Sequence, residues 1–385
     1  MSEKSEITDP TGPKPDLGRE IAAEIQNNGP ISFERYMELA LYHPTLGYYE
    51  RRPDVLGKAG DFYTSVSTGP LFGKLLAEQL LFWSRKIDWM DRWVWIEAGA
   101  HSGTLARDIL EHAAHFKLPL PLEYHIIETS ETRRAWQEKT LVGFPQVKWK
   151  RSFSDYKEPL AAIIFSNELL DAFPCRLFEK DASGNWLELK VTCGDEPAAF
   201  QFCKHEARLP EALARLAVEE LPTGYRMEYS ASAAQWWHEA CSLLRSGLAL
   251  TLDYGVTDAE LAGGLKPAST VRAIRSHRLL DNWLEEPGLT DLSSAVHWNH
   301  LIETGESLGM KTLELVSQER FLMGIIRNLQ SENRVRLAAS SAQENSPAEN
   351  GGMLSLPAQA LKTLIHPQYL GHSFQALVQE REVIS

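Results

Sequence analysis

The sequence predicts an α/β protein, a Rossmann-like doubly wound sheet with a mainly helical N-terminal segment and a β-rich insertion. Two observations carry that prediction. From Trp93 onward, short apolar runs alternate with amphipathic helical stretches, the pattern of parallel strands with helices on both faces. In IEAGAHSGTL (96–105) an apolar run ends in small residues just where a helical stretch begins, a turn that lets backbone come close to a ligand. The chain has 385 residues, 43% hydrophobic and 24% charged, enough for one large domain or two smaller ones.

In chain order, residues 1–18 read as a flexible tail, with neither the apolar core of a signal peptide nor the arginine-rich face of a transit peptide. Residues 19–90 read as a mainly helical N-terminal segment. Two short helices are split by Asn-Gly-Pro and ended by Pro44 and Gly47, and LFGKLLAEQLLFWSRKI (71–87) supplies a third. Residues 91–385 form the cofactor-binding domain. Its strands are WVWIEAG (93–99), LEYHIIETS (122–130), VKWKRSF (147–153), the buried run 161–174, and GLALTLDYG (247–255). Residues 176–229 interrupt the pattern as a β-hairpin insertion around Asp181, Ser183 and Gly184. Two late runs, TVRAIRSHRLL (270–280) and MKTLELVS (310–317), are expected to complete the sheet, and the polar stretch 340–352 is expected to be a mobile loop.

Composition narrows the function. The net charge of −13, from 52 acidic against 39 basic side chains, repels phosphate backbones, so a nucleic-acid partner is not expected. No run of eighteen apolar residues occurs, which argues against membrane insertion. The four cysteines, Cys175, Cys193, Cys203 and Cys241, lack the spacing of a zinc site or a redox couple and read as reduced thiols of a cytoplasmic protein. No metal is expected. His297, His300, His366 and His372 lack a cysteine partner and the HExxH spacing.

The strand-to-helix turn after Glu97 keeps Gly99 and Gly103, whose small size suits a close backbone approach, and free amides at the helix start suit a ligand carboxylate. Glu128 ends the next strand twenty-five residues after Gly103, about where a nucleotide fold places the acid that holds a ribose diol. His101 stands where a central glycine is usual; a positive φ there costs about 1–3 kcal/mol. SNELLDAFP (166–174) places Asn167, Glu168 and Asp171 in one turn at the carboxyl edge of the sheet, where open α/β sheets bind ligands. The polar loop GDFYTS (60–65) and the strand end LDYG (252–255) are further candidates for the cleft wall.

These motifs resemble the MidA-like methyltransferase family. ISFERYMELALYHPTLGYY, GDFYTS with LFGKLLA, EAGAHSGTL, NELLDAFP, LDYG, TVRAIRSHR, PGLTDLSSAVHW and LIHPQYLGHSF occur in order between about Ile31 and Leu377. The resemblance implies a class I methyltransferase fold, S-adenosyl-L-methionine as cofactor, and a protein substrate methylated on arginine, as mitochondrial members do while assisting respiratory complex I assembly. It implies cofactor binding at Gly99, Gly103 and Glu128 and a substrate-facing role for Gly60, Asp61, Asn167, Glu168 and Asp171. With the reading of the turn, the candidate cofactor-binding residues are Gly60, Glu97, Gly99, His101, Gly103 and Glu128, and the candidate catalytic residues Asp61, Asn167, Glu168 and Asp171. A homodimer is compatible with the reading. The chain departs from the family at His101, Val66, Ala295 and His297. Two other readings stand beside it: a hydrolase, although GAHSG (99–103) puts His101 where a nucleophile elbow needs serine, and a non-catalytic assembly chaperone that keeps the fold.

Overall fold

The computed structural model describes residues 16–50, 65–85, 93–115, 123–195, 199–216, 220–263, 269–276, 278–332, 334–338, 354–366, 371 and 374–382. Residues 1–15 of the expected tail 1–18 and the expected loop 340–352 lie outside them, as do Gly60, Asp61 and His372, whereas Leu17 and Gly18, expected in the tail, open a helix and are buried.

Seven strands form the main path of an eight-stranded central sheet: β1 (Val94–Ala98), β2 (Glu123–Ile127), β3 (Val147–Lys150), β4 (Leu160–Asn167), β5 (Leu244–Val256), β6 (Lys311–Ser317) and β7 (Phe374–Arg381), with the short strand Val296–His297 paired parallel to β5 as the eighth. The order along the main path is β6-β7-β5-β4-β1-β2-β3. Strands β1 to β5 are mutually parallel, and β7 runs antiparallel to both β5 and β6. The chain winds outward from β1 to β3 and returns to β4 on the other side of β1. The carboxyl ends of β1 and β4 therefore flank the topological switch point, where such sheets bind ligands.

The inner strands are apolar on both faces because helices cover both. Trp95, Ile163, Phe165, Leu248 and Leu250 pack toward Leu71–Ser84, Thr104–His115 and Gln318–Ser331. Their neighbours Val94, Ile96, Ala162, Ile164 and Ala249 pack toward Ala231–Leu243 and Trp298–Ser307. This alternation accounts for the continuous hydrophobic runs in the sequence.

Three expectations need correction. The insertion is more than a hairpin: Arg176–Lys180, Trp186–Cys193, Phe200–Glu206 and Arg226–Tyr229 belong to a five-stranded antiparallel sheet. Its remaining strand is Ile31–Ser32, so the N-terminal segment is not purely helical. The helices Leu17–Asn28 and Phe33–Tyr42 bury Ile21, Ile25, Tyr36 and Met37 against Leu177, Leu189 and Val191 of this sheet, a shared core that ties the insertion to the N-terminus. The run 270–280 stays out of the central sheet; Arg272–Arg275 pairs with Arg278–Leu279 and Asp291–Ser293 instead. The place between β5 and β6 goes to β7, which reads as polar because it carries Gln379. That side chain is fully buried and satisfied: Nε2 donates to Ile302 O and Thr312 Oγ1, and Oε1 accepts from Trp237 Nε1.

Among the described residues no helix is long and apolar enough to cross a membrane, and no cluster of His, Cys, Asp and Glu is arranged to hold a metal ion.

Candidate active site

A cavity of about 310 Å³ opens at the carboxyl ends of β1, β2 and β4. Gly99 and His101 line it from the turn after β1, Glu128 and Thr129 from the turn after β2, and Glu168 and Asp171 from the turn after β4. Tyr42 and Tyr49 reach in from the N-terminal segment, Trp236 from the helix Ala231–Leu243, and Asp291 from the small antiparallel sheet.

The turn after β1 needs its glycines. Gly99 has φ of +74° and Gly103 +80°. A Cβ on Gly99 would stand 2.8 Å from Leu169 Cδ1, so this residue also allows the β1 and β4 turns to touch. A Cβ on Gly103 would stand 3.2 Å from Leu141 Cδ1, tighter than ordinary packing. Between them His101 takes φ of +45°, the left-handed conformation that glycine would adopt without strain. Histidine is among the few side chains enriched there. The turn is held by Gln137 Nε2, which donates to His101 O at 3.0 Å, and by the ring of Trp136, 5.9 Å from the imidazole. Burial, with Arg133 nearby, pushes the imidazole down to about 4, so His101 is neutral at pH 7.

Glu128 is buried, and its carboxylate is fixed. Oε1 accepts from Ser130 N at 2.8 Å and Arg133 Nε at 3.0 Å, and Oε2 from Gln137 Nε2 at 2.9 Å. Oε2 keeps lone-pair capacity for a ligand hydroxyl. Gln137 therefore joins the acid to the carbonyl of His101. Glu97 stands apart from the cavity: its buried carboxyl accepts from Tyr124 Oη, and burial pushes it up to about 7. Gly103 shapes the turn from behind without lining the cavity.

The turn after β4 holds the acceptor-side candidates. Glu168 has φ of +52°, and its N–H donates to Leu252 O at 2.8 Å. Its Oε1 accepts from Ser65 N at 2.9 Å and from Asn167 Nδ2 at 3.1 Å. Burial, reinforced by Asp171, outweighs these bonds and pushes the carboxyl up to about 7. Burial also raises Asp171, which hydrogen-bonds the side chain of Asp253. Asn167 Oδ1 is buried without a partner among the described residues.

Tyr42, Tyr49, Arg133, Trp236 and Asp291 also line the cavity, although no sequence pattern assigned them to it. Tyr42 Oη donates to Ala172 O at 2.9 Å, and Tyr49 Oη to Asp291 Oδ1 at 3.1 Å. Both tyrosines lie in the motif that ends at Tyr49, and Asp291 in PGLTDLSSAVHW, so the signal was present without an assigned role. His297, one of the departures, lies elsewhere, paired with Asp258 at 2.5 Å.

The geometry fits a positively charged nucleotide cofactor: a glycine turn at a helix start, an acid with free acceptor capacity on the next strand, and aromatic walls with several carboxyl groups beyond. With the strand order and the reversed β7, it defines a class I S-adenosylmethionine-dependent methyltransferase. Residues 75–316 match the model of the family described as "Putative S-adenosyl-L-methionine-dependent methyltransferase", and the chain belongs to that family. S-adenosyl-L-methionine is its cofactor.

Solved structures and relatives agree. A Burkholderia thailandensis protein bound to S-adenosyl-homocysteine is 30% identical, with a TM-score of 0.82 over 96% of this chain and 92% of that one. The chain is also similar to "Protein arginine methyltransferase NDUFAF7 homolog, mitochondrial" of Drosophila melanogaster, 28% identical over 89% of this chain and 82% of the relative. "Protein arginine methyltransferase NDUFAF7, mitochondrial" of Danio rerio is 27% identical over 93% of this chain and 85% of the relative. The MidA-like resemblance is borne out.

Proposed function

We propose that the protein transfers the methyl group of S-adenosylmethionine to an arginine side chain of a protein substrate. The observation that carries this reading is the convergence of Glu168, Asp171 and Asp291 with Tyr42, Tyr49 and Trp236 on the cavity that Gly99 and Glu128 also line. Carboxyl groups and aromatic faces together favour a planar cation, and carboxylates meet a guanidinium with paired hydrogen bonds. The names of the relatives from Drosophila melanogaster and Danio rerio support the same acceptor.

When bound, the cofactor supplies an electrophilic methyl group. A guanidinium, with a pKa above about 12, is not freely deprotonated before attack. The chain must therefore orient one nitrogen and accept its proton as the N–C bond forms. Glu168 is suited to that step because burial raises its carboxyl to about 7, so that it binds a proton readily near neutral pH. Asp171 and Asp291 supply further negative charge around the guanidinium. Glu128 and the Gly99 turn hold the cofactor on the other side.

The test is transfer of tritium from S-[methyl-³H]adenosylmethionine into an extract of source cells lacking the gene, followed by complete hydrolysis. Label in methylarginine supports the reading. Label confined to another amino acid, or none in protein, overturns it.

A further inference from the structure

Asp253 in β5 is fully buried and does not line the cavity, yet it is tied to the turn that does. Its Oδ2 accepts from Leu169 N at 3.1 Å and Leu170 N at 2.8 Å, and its Oδ1 accepts from Tyr254 N at 2.9 Å. The preceding residue of the same strand, Leu252, takes the N–H of Glu168 at 2.8 Å. Two consecutive residues of β5 thus bind three consecutive amides, those of 168, 169 and 170.

The middle of a buried strand is an unfavourable place for a carboxyl group. A well-packed apolar residue at such a site often costs a protein nothing in stability, so core packing does not account for an aspartate. The turn does. Glu168 is held left-handed at φ of +52° without glycine, and such strain persists only where the surroundings over-determine it.

We propose that Asp253 is a positioning residue for methyl transfer, clamping the left-handed Glu168 turn so that Glu168 and Asp171 face the cavity. The inference rests on the reading of Glu168 and Asp171 as the acceptor-side groups. Burial, with Asp171 and then Glu168 as like-charged neighbours, raises the Asp253 carboxyl well above the usual carboxylate range and outweighs the amide bonds that favour its charged form. Asp171 and Glu168 are thus both electrostatic neighbours of the Asp253 carboxyl.

The test compares Asp253→Asn, Asp253→Ala and Glu168→Gln with the wild type. Two quantities are read: S-adenosylhomocysteine affinity by calorimetry, and the rate of tritium transfer to the gene-deleted extract at saturating S-[methyl-³H]adenosylmethionine. A misplacement of about 1 Å at a reacting group costs on the order of a hundredfold in rate. Asp253→Ala is expected to lose about that much, and Asp253→Asn, which keeps an oxygen for Leu169 and Leu170, about tenfold. Both should keep cofactor affinity within about twofold, since a clamp on the acceptor side leaves the cofactor side intact.

A folded Asp253→Ala protein with the wild-type rate overturns the clamp. So does loss of rate that merely follows lost cofactor affinity. If both Asp253 variants fail to fold, the residue holds the domain together rather than the transfer turn, and the proposal is overturned. If Glu168→Gln transfers at the wild-type rate, the reading of Glu168 itself falls. If Glu168→Gln is slow while Asp253→Ala is not, only the clamp falls.

Discussion

The backbone N–H of Ser65 donates to Glu168 Oε1 at 2.9 Å and ties the loop before the helix Leu71–Ser84 to the turn after β4. Ser65 is buried, and its hydroxyl donates to Gln318 Oε1 at 3.0 Å, so the loop end is anchored from both sides. The amide favours the ionised carboxylate, but burial wins and leaves Glu168 near 7.

Methyl transfer should therefore depend on pH through this group. The proton-accepting form is the carboxylate, so the rate at saturating cofactor is expected to fall as pH drops through about 7 and to level off above it. Glu168→Gln should lower the rate by about 10²–10⁴-fold and remove this limb. A flat rate in the wild type between pH 6 and 8, in a tritium-transfer assay, would contradict the role given to Glu168.

The contact between the β1 and β4 turns gives a second prediction. Gly99→Ala places a methyl group 2.8 Å from Leu169 Cδ1 at a residue with φ of +74°. Steric conflict and backbone strain act together, and each is of order 1–3 kcal/mol. S-adenosylhomocysteine affinity should drop at least tenfold by calorimetry. Unchanged affinity would mean that the turn does not approach the cofactor.

His101 gives a graded series. Glycine removes the strain at φ of +45°, whereas valine, branched at Cβ, increases it. His101→Gly is expected to bind S-adenosylhomocysteine as well as the wild type or better, and His101→Val at least tenfold more weakly. Equal affinities for the two variants would show that this backbone conformation does not matter to binding.

Much of this was legible in sequence, and the exceptions have physical causes. The apolar runs of β1, β4 and β5 gave the parallel sheet because both faces of those strands are buried. Gly99, Glu128 and the 167–171 turn could be read because each follows a readable strand, and Gly103 because it stands just before the next helix. The positive φ at His101 follows from the missing glycine. What could not be read depends on long-range pairing. Ile31–Ser32 joins Trp186–Cys193 across more than 150 residues, and two residues carry no periodicity. Strand β7 was hidden by Gln379, a polar residue whose partners come from three other segments. Tyr42, Tyr49 and Asp291 converge only after the N-terminal segment folds over the sheet. Gly60 and Asp61 lie outside the described residues.

Glu97 makes a prediction about stability rather than rate. Its carboxyl stands near 7 in the folded protein, above the ordinary value of 4.5. The sign follows: a raised carboxyl contributes stability that is fully present below about 4.5 and is lost as pH rises through 7. Raising the pH from 5.5 to 8 should remove about 2 kcal/mol of this contribution. Glu97→Gln should lack that loss, so urea unfolding at the two pH values should show the variant gaining about 2 kcal/mol relative to the wild type. Parallel pH dependence in both proteins would contradict the buried, protonated state.

The most direct test of the central claim, a single cavity that holds S-adenosylmethionine between the Gly99 turn and Glu128, is calorimetric titration with S-adenosylhomocysteine. Wild type and Glu128→Gln are titrated, with NAD as the control nucleotide. The account predicts micromolar binding to the wild type, at least tenfold weaker binding to Glu128→Gln as one charge-assisted hydrogen bond is lost, and no binding of NAD. Equal binding of S-adenosylhomocysteine by both proteins, or binding of NAD in its place, would contradict it.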